Sequence, residues 1–209
     1  MAADDLLTLA EARRAVNLPL EPSDQDIDLA LFVTGLSGRV DALCGPVVRR
    51  AVNGERHDGG RKKVLLGVHH ASSVTSVAEW VNTTETVLSE ETDSTKPANG
   101  FLLHTVLPYG WVIRRTGNAD SVFPAGRRNV VITYQAGRYA DTDSVGNTFK
   151  LAASAALRRL WKREQSSWAH TPDFFADTEN PRPQLAFYKT VDPMIHELLA
   201  HELLPPVGL

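Results

Sequence analysis

A segment late in the sequence carries the residue types of a zinc-dependent hydrolase. In the H-E-x-x-H motif of such enzymes, two histidines four residues apart bind zinc from one helix face, and the glutamate acts as a base. Here His196 and His201 are five residues apart, with Glu197 between them. On a helix this spacing turns the second imidazole about 140° away from the first. The sequence therefore predicts no metal site, and a small metal-dependent hydrolase remains only as an alternative.

Other residues that could take part in catalysis also lack the required spacing. His69 and His70 follow a predicted strand, in which neighbouring side chains point to opposite faces. The run from Gly59 to Lys63 lacks the G-x-x-x-x-G-K-[ST] spacing of a phosphate-binding loop, and no G-x-S-x-G nucleophile motif occurs. Cys44 lies on the predicted core face of a helix, where a thiol packs as a small apolar group. We therefore predict a protein that is not an enzyme, with no catalytic residues, metal or cofactor.

The composition is that of a globular protein and excludes several other classes. The 209 residues include 22 Lys and Arg against 25 Asp and Glu, which gives a net charge of −3, and 43% are hydrophobic. This balance excludes a basic nucleic-acid coat protein and a wholly disordered chain. The single cysteine excludes an internal disulfide. No apolar run is long enough to span a membrane, and the first residues lack the apolar core of a signal peptide, so we expect a soluble protein made in a reducing cytoplasm.

Two helices are predicted in residues 5–45, and the second has two different faces. Thr8 and Glu11 form a capping box that starts the first helix, and Ser23 with Asp26 starts the second. The larger apolar residues of the second helix lie in one arc, which predicts a core face. The opposite side is small and weakly apolar, which lets another helix come close. It is either a second contact within the chain or a subunit interface, and its candidate residues are Ile27, Leu31, Gly35 and Gly38.

The middle of the chain, residues 47–137, has the pattern of an antiparallel β region. β-Branched residues alternate with polar ones in short runs, and turn residues separate the runs. One such turn is Asn53-Gly54, a dipeptide typical of a two-residue hairpin. The predicted fold class is therefore α+β, a small helical bundle with an inserted antiparallel β region and an extended C-terminal arm.

A long helix is predicted within residues 143–169, started by Asp143 or Ser144, and it carries a cluster of positive charge. The cluster indicates a solvated face, a contact with an acidic protein surface such as a neighbouring subunit, or a contact with DNA. Its members are Arg158, Arg159, Lys162 and Arg163.

Residues 170–209 are predicted to be the C-terminal arm, separate from a folded domain in residues 1–169. The arm is rich in proline, lacks a core of its own and has room for one short helix between Asp192 and Leu204. Chains of this kind often order only against a partner. The candidate anchors are Phe187, Tyr188, Leu198 and Leu199.

The order of these features resembles the head-to-tail connector, or adaptor, proteins of tailed bacteriophages, the gp6-like group. The resemblance covers residues 5–169, and the segment after residue 170 has no counterpart. It rests on patterns of apolar and turn residues: the opening LLTLAEARRAVNLP, the helix end RVDALCGPVVRR, the strands SSVTSVAEWV (72–81) and V-x-I-T-Y-x-A-G (130–137), and the Ala-rich helix LAASAALRRLWKRE (151–164).

The resemblance implies a structural protein of the virion neck, assembled in the host cytoplasm, with residues 1–169 as the connector domain. Such proteins form a ring, typically a dodecamer, beneath the portal protein and join it to a stopper or other neck or tail protein. Double-stranded DNA crosses the ring without sequence-specific binding, and no membrane is involved. The resemblance implies that the four anchors of the arm, Phe187, Tyr188, Leu198 and Leu199, are candidates for contact with the portal protein. The alternative is another neck component, a stopper or a tail-completion protein, although the helices that flank the β region favour the connector.

Overall fold

A computed structural model describes residues 2–168 and 192–203 and shows an α+β protein, as predicted. The chain divides into two compact units. Residues 1–48 and 139–209 belong to the helical unit, and residues 49–138 belong to the β unit. Within the described ranges, no helix combines the length and the apolar composition needed to cross a bilayer.

The helical unit begins with α1, Leu9–Ala15, and α2, Asp26–Cys44. The predicted capping box of α1 is confirmed. Glu11 N donates to Thr8 Oγ1 at 3.3 Å, and Thr8 N donates to Glu11 Oε2 at 2.8 Å, so each residue satisfies a backbone amide of the other. At its other end α2 stops at Gly45, whose φ of 76° is accessible to a residue without a Cβ.

One arginine holds the loop between α1 and α2. Arg13 donates through Nε to Asp26 Oδ1 at 2.9 Å, and its guanidinium also bonds to the other oxygen of Asp26 and to the carbonyl of Leu20. The hydrogen bond from Arg13 lowers the pKa of Asp26 from its usual value. Ser23 N donates to the same carboxylate at 3.1 Å, but Gln25 rather than Ser23 occupies the N-cap position of α2.

The other helices of the described helical unit are α3, Asn147–Trp168, and α4, Asp192–Leu198. α3 begins slightly later than predicted because Ser144 and Asp141 bond to each other in a turn before it, with Ser144 N donating to Asp141 Oδ1 at 2.8 Å. Apolar side chains from the N-terminal segment and all of these helices form one core. Its members include Leu6, Leu7, Ala12, Leu29, Val33, Leu36, Val40, Cys44, Phe149, Ala153, Ala156, Leu157, Ile195 and Leu199.

The β unit is a single sheet with the strand order β1-β8-β3-β4-β5-β6-β2, and β7 pairs with β6. Its own core lies among buried apolar side chains that include Val77, Leu88, Phe101, Val112, Phe123, Ile132 and Tyr134. The strands are β1 Arg50–His57, β2 Lys63–Leu65, β3 Ala71–Val81, β4 Thr84–Glu90, β5 Gly100–Val106, β6 Tyr109–Thr116, β7 Ala119–Asp120 and β8 Val130–Ala136.

The hairpin predicted at Asn53-Gly54 is wrong, because both residues lie inside β1. The register of β1 against β8 shifts between Val52 and Glu55, and Gly54 has a φ of 64°. The chain therefore bulges here instead of turning back. A dipeptide that readily adopts positive φ suits a β-bulge as well as a two-residue turn, so the local sequence does not distinguish them.

The pairing between β4 and β5 is short, and it is parallel. Only two residue pairs connect these strands, Ser89 with Gly100 and Glu90 with Phe101. The prediction of a wholly antiparallel region is therefore wrong at this point. The loop of residues 91–99 carries the chain back, so that β5 starts beside the end of β4 and runs in the same direction.

Two glutamates of the β unit are almost fully buried, and each has an arginine partner. Glu79 accepts two hydrogen bonds from Arg114, from Nε at 2.9 Å and from Nη2 at 3.0 Å. Glu91 accepts from Arg115 Nε at 2.5 Å and from Lys96 Nζ at 2.8 Å. The bonds from Arg115 and then Lys96 lower the pKa of Glu91 to about 2.

Glu91 is expected to make stability depend on acid pH. Its pKa is lower in the folded chain than its ordinary value of 4.5, so its contribution is complete above about pH 4.5 and is lost as the pH falls towards 2. Urea unfolding of the wild type and Glu91→Gln at pH 6, 4 and 2.5 measures this contribution. The variant should be less stable at pH 6, and the difference between the two proteins should shrink at each lower pH. A difference that stays constant across the series would contradict the assignment.

Candidate assembly interface

The outer face of α2 is exposed although it carries large apolar residues. Ile27 is 73% exposed and Leu31 is 69% exposed, whereas the opposite side of the helix is buried in the core. Gly35 and Gly38 continue the same stripe, and among the described residues no atom outside the adjacent backbone of α2 lies within 4 Å of the position that a Cβ would take at either glycine. The two faces of α2 predicted from the sequence are thus present, and the second face makes no packing contact within the described subunit.

Hydrogen bonds to the N-terminal segment fix the orientation of α2. Thr34, beside the exposed stripe, donates to Asp5 Oδ2 at 3.1 Å, and Ser37 Oγ accepts from Leu6 N at 2.9 Å. Asp5 is buried, and burial raises its pKa. The helix that carries the exposed stripe is therefore fixed by core contacts on its inner side and by the hydrogen bonds of Thr34 and Ser37 to the N-terminal segment.

The basic residues predicted on α3 all lie on its exposed side. Arg158 also has a role within the subunit, because its Nε donates to the carbonyl of Ala15 at 2.9 Å and so satisfies an acceptor at the end of α1. One further residue of this side was missed by the sequence reasoning: Leu151 is 61% exposed. The helical period could have predicted this exposure, because it places Leu151 on the same side as Arg158 and Lys162 and opposite the alanine-rich core face.

The structure separates the members of the predicted C-terminal anchor set. Leu199 is buried in the core of the helical unit, together with Ile195 of α4. Leu198, the last residue of α4, is 36% exposed. Phe187 and Tyr188 lie outside the described residues.

The residue types that suggested catalysis are not assembled into a site in the described part of the chain. His196 and His201 are both exposed, and within the described ranges no three histidine, cysteine or acidic side chains are placed to hold a metal ion. Cys44 is buried in the helical core.

A polar cluster around the buried Tyr134 fastens the loop of residues 66–70 in the β unit. Tyr134 Oη donates to Glu55 Oε2 at 2.5 Å and accepts from Val68 N at 3.0 Å, while Glu55 Oε1 accepts from Gly67 N at 2.8 Å. Burial, with the neighbouring carboxylate, raises the pKa of Tyr134 well above its usual value. Both carboxylate oxygens of Glu55 therefore accept hydrogen bonds, one from Gly67 N and one from Tyr134 Oη, and these bonds hold the loop in place.

Two solved structures contain chains with this fold, both from gene transfer agent (GTA) particles. One chain is in the neck of an empty GTA particle computed with C6 symmetry: the TM-score is 0.51 at 15% identity, over 93% of this chain and 95% of that chain. The other is in the virion of a native GTA particle: the TM-score is 0.51 at 14% identity, over 92% and 89% of the two chains. No protein-family model matches the sequence, and no curated protein matches it. At these identities the likeness shows a shared fold.

Proposed function

We propose that this chain is a structural component of the neck of a phage-like particle, and specifically the head-to-tail connector that forms a ring beneath the portal protein. The observation that carries the proposal is the fold shared, over nearly the whole of both chains, with a chain of a GTA particle neck. The sequence patterns that resemble phage connectors lie in residues 5–169 and support it independently.

The ring would form through the exposed face of α2 and the exposed side of α3. Both belong to one unit and lie on different helices, so one copy can present α2 to the α3 of the next. Such a head-to-tail contact between unlike surfaces closes into a ring when the rotation between copies is a simple fraction of a turn. The neck that contains the similar chain was computed with C6 symmetry, which is compatible with the dodecamer that we propose.

DNA would cross this ring without sequence-specific binding. A net charge of −3 gives no large excess of Lys and Arg to hold phosphates tightly, so that a passing duplex is not retained. A stopper or another neck protein would bind below the ring, and assembly would take place in the host cytoplasm.

Contact with the portal protein would involve Phe187, Tyr188 and Leu198. Deleting residues 171–209 is a poor test of this contact, because it would also remove Ile195 and Leu199 from the helical core. The double variant Phe187→Asp/Tyr188→Asp keeps both Ile195 and Leu199. We expect it to lose at least tenfold in affinity for immobilised portal protein while its melting temperature stays that of the wild type. Leu107→Asp, at an exposed site of the β unit, is the control; equal affinity in the double variant and the control would contradict the contact.

The experiment that tests the function is localisation in the intact particle. Particles labelled with an antibody against this chain should carry gold at the junction of head and tail in negative stain, and cryo-EM should place the chain directly below the portal. Deleting the gene should give DNA-filled heads without tails. Normal tailed particles from the deletion strain would overturn the neck role. A position farther from the portal would instead identify a stopper or tail-completion protein.

A further inference from the structure

The exposed sides of α2 and α3 repeat the same spacing of residues. Along each side the positions advance by three, then four, then three residues, which is the spacing of side chains that meet when two helices pack at a shallow angle. The positions are Asp28, Leu31, Gly35 and Gly38 on α2, and Thr148, Leu151, Ala155 and Arg158 on α3. Because the spacing reads the same in both directions, it fits a parallel and an antiparallel pairing equally well.

The residue types distinguish the two directions. In the antiparallel pairing Asp28 faces Arg158, Leu31 faces Ala155 and Gly35 faces Leu151, so that each large side chain meets a small one and opposite charges meet. In the parallel pairing Leu31 faces Leu151 and Gly35 faces Ala155, which brings two large residues together and leaves a gap beside them. Arg158 would then face Gly38, with no acidic partner. Size and charge therefore both favour the antiparallel direction.

The distances along the two helices agree with this register. Leu151 precedes Arg158 by seven residues, and Asp28 precedes Gly35 by seven, which is about 10 Å of helix in each case. Leu151 is more than half exposed, and apart from the backbone of α2 itself no atom of the described residues lies within 4 Å of where a Cβ of residue 35 would be. A leucine of a second copy can enter this space, because glycine allows the two backbones to approach closely.

We propose that in the ring the outer side of α3 of one copy packs antiparallel on the outer face of α2 of the next copy, with Leu151 seated over Gly35 and Arg158 beside Asp28. The inference rests on the proposed ring and adds to it the partner surface and the register.

Cysteine cross-linking tests the register directly. Gly35→Cys and Leu151→Cys chains with tags of different size are co-expressed and oxidised at a concentration where the wild type sediments as a ring. The expected product is a disulfide-linked dimer of the two different chains, formed at least tenfold faster than dimers of either variant alone. Leu31→Cys with Leu151→Cys tests the parallel alternative and should react more slowly. The native Cys44 is buried and serves as the internal control.

Exchanging the small and the large residue of the Gly35–Leu151 contact provides a second test, which does not depend on oxidation. Gly35→Leu should prevent ring formation while the subunit stays folded, and Leu151→Ala added to the same chain should restore it. Preferential self-linking of Gly35→Cys, faster linking of Leu31→Cys with Leu151→Cys, or no recovery in the size exchange would overturn the register. These failures leave a wild-type ring and the neck role standing, whereas a wild-type chain that forms no ring, alone or with portal, would contradict the ring itself.

Discussion

A chain with aspartate in place of both Ile27 and Leu31 is expected to stay folded but to remain a monomer under conditions in which the wild type forms a ring. In the isolated subunit these side chains lie in solvent, so the substitution removes no core contact. In the ring they would be buried, at about 1.5–3 kcal/mol for each apolar side chain, and an unpaired carboxylate in their place adds a desolvation cost. Every interface of a head-to-tail ring contains this face once, so every interface is weakened, by at least about 100-fold in association constant.

The matched control for this variant is Val106→Asp/Leu107→Asp at the tip of the β5–β6 hairpin. Those residues are 56% and 75% exposed, so the control makes the same chemical change at a comparable exposure. Sedimentation velocity over a range of concentrations measures assembly, and thermal melting shows that both variants remain folded. If the Ile27/Leu31 variant assembles as the wild type does, this face of α2 is not the interface. If the control also stays monomeric, the effect comes from added negative charge.

Features set by neighbouring residues were predictable from the sequence. The capping box at Thr8 and Glu11 depends on a spacing of three residues, and the two faces of α2 depend on the helical period. Leu151 was not among the predicted interface residues, which on α3 were the four basic residues alone. The same helical period places Leu151 on the side of Arg158 and Lys162, so its exposure was predictable as well.

Features that join distant residues were not predictable. The pairing of Glu79 with Arg114 spans 35 residues, and neither residue stands in a motif. Likewise, Leu199 was predicted as an anchor for a partner because the proline-rich sequence before it has no core; in the structure it packs, with Ile195, into the core formed by the first part of the chain. In each case the residue that a side chain contacts depends on how the helices and strands are arranged, and local sequence patterns do not specify that arrangement.

Arg114→Met is expected to destabilise the β unit by about 3–5 kcal/mol, because it leaves Glu79 buried without its partner. In the wild type Arg114 bonds to both carboxylate oxygens, and Nη2 also donates to Asn99 Oδ1 at 3.1 Å. Arg56→Met, at an exposed position of β1, should change stability by less than about 0.5 kcal/mol. Hydrogen exchange of the individual strands is the suitable measurement, because two units in one chain need not unfold in a single transition.

Replacing both Glu79 and Arg114 distinguishes the loss of their interaction from the cost of leaving one buried charge without its partner. In Glu79→Met/Arg114→Met no charge is buried, so most of the loss in the single variant should be recovered, since an apolar pair of similar volume often replaces a buried ion pair at little cost. A double variant as unstable as Arg114→Met would show that the arginine acts mainly through its other partners, among them Asn99 and the backbone of the β5 and β6 region.

The remaining contribution of this ion pair is expected to lie in the alignment of the sheet. Strands β4 and β5 are joined by only two residue pairs, so little backbone pairing fixes the position of β5 and β6 against β3 and β4. Arg114 on β6 and Glu79 on β3 lie on the two sides of this junction, and the bidentate pair between the planar guanidinium and the carboxylate restricts how the two strands can be placed. Apolar side chains impose no such geometry. The double variant should therefore regain stability yet show exchange-broadened or doubled amide resonances in β5, and a single sharp set would mean that packing alone aligns the two halves.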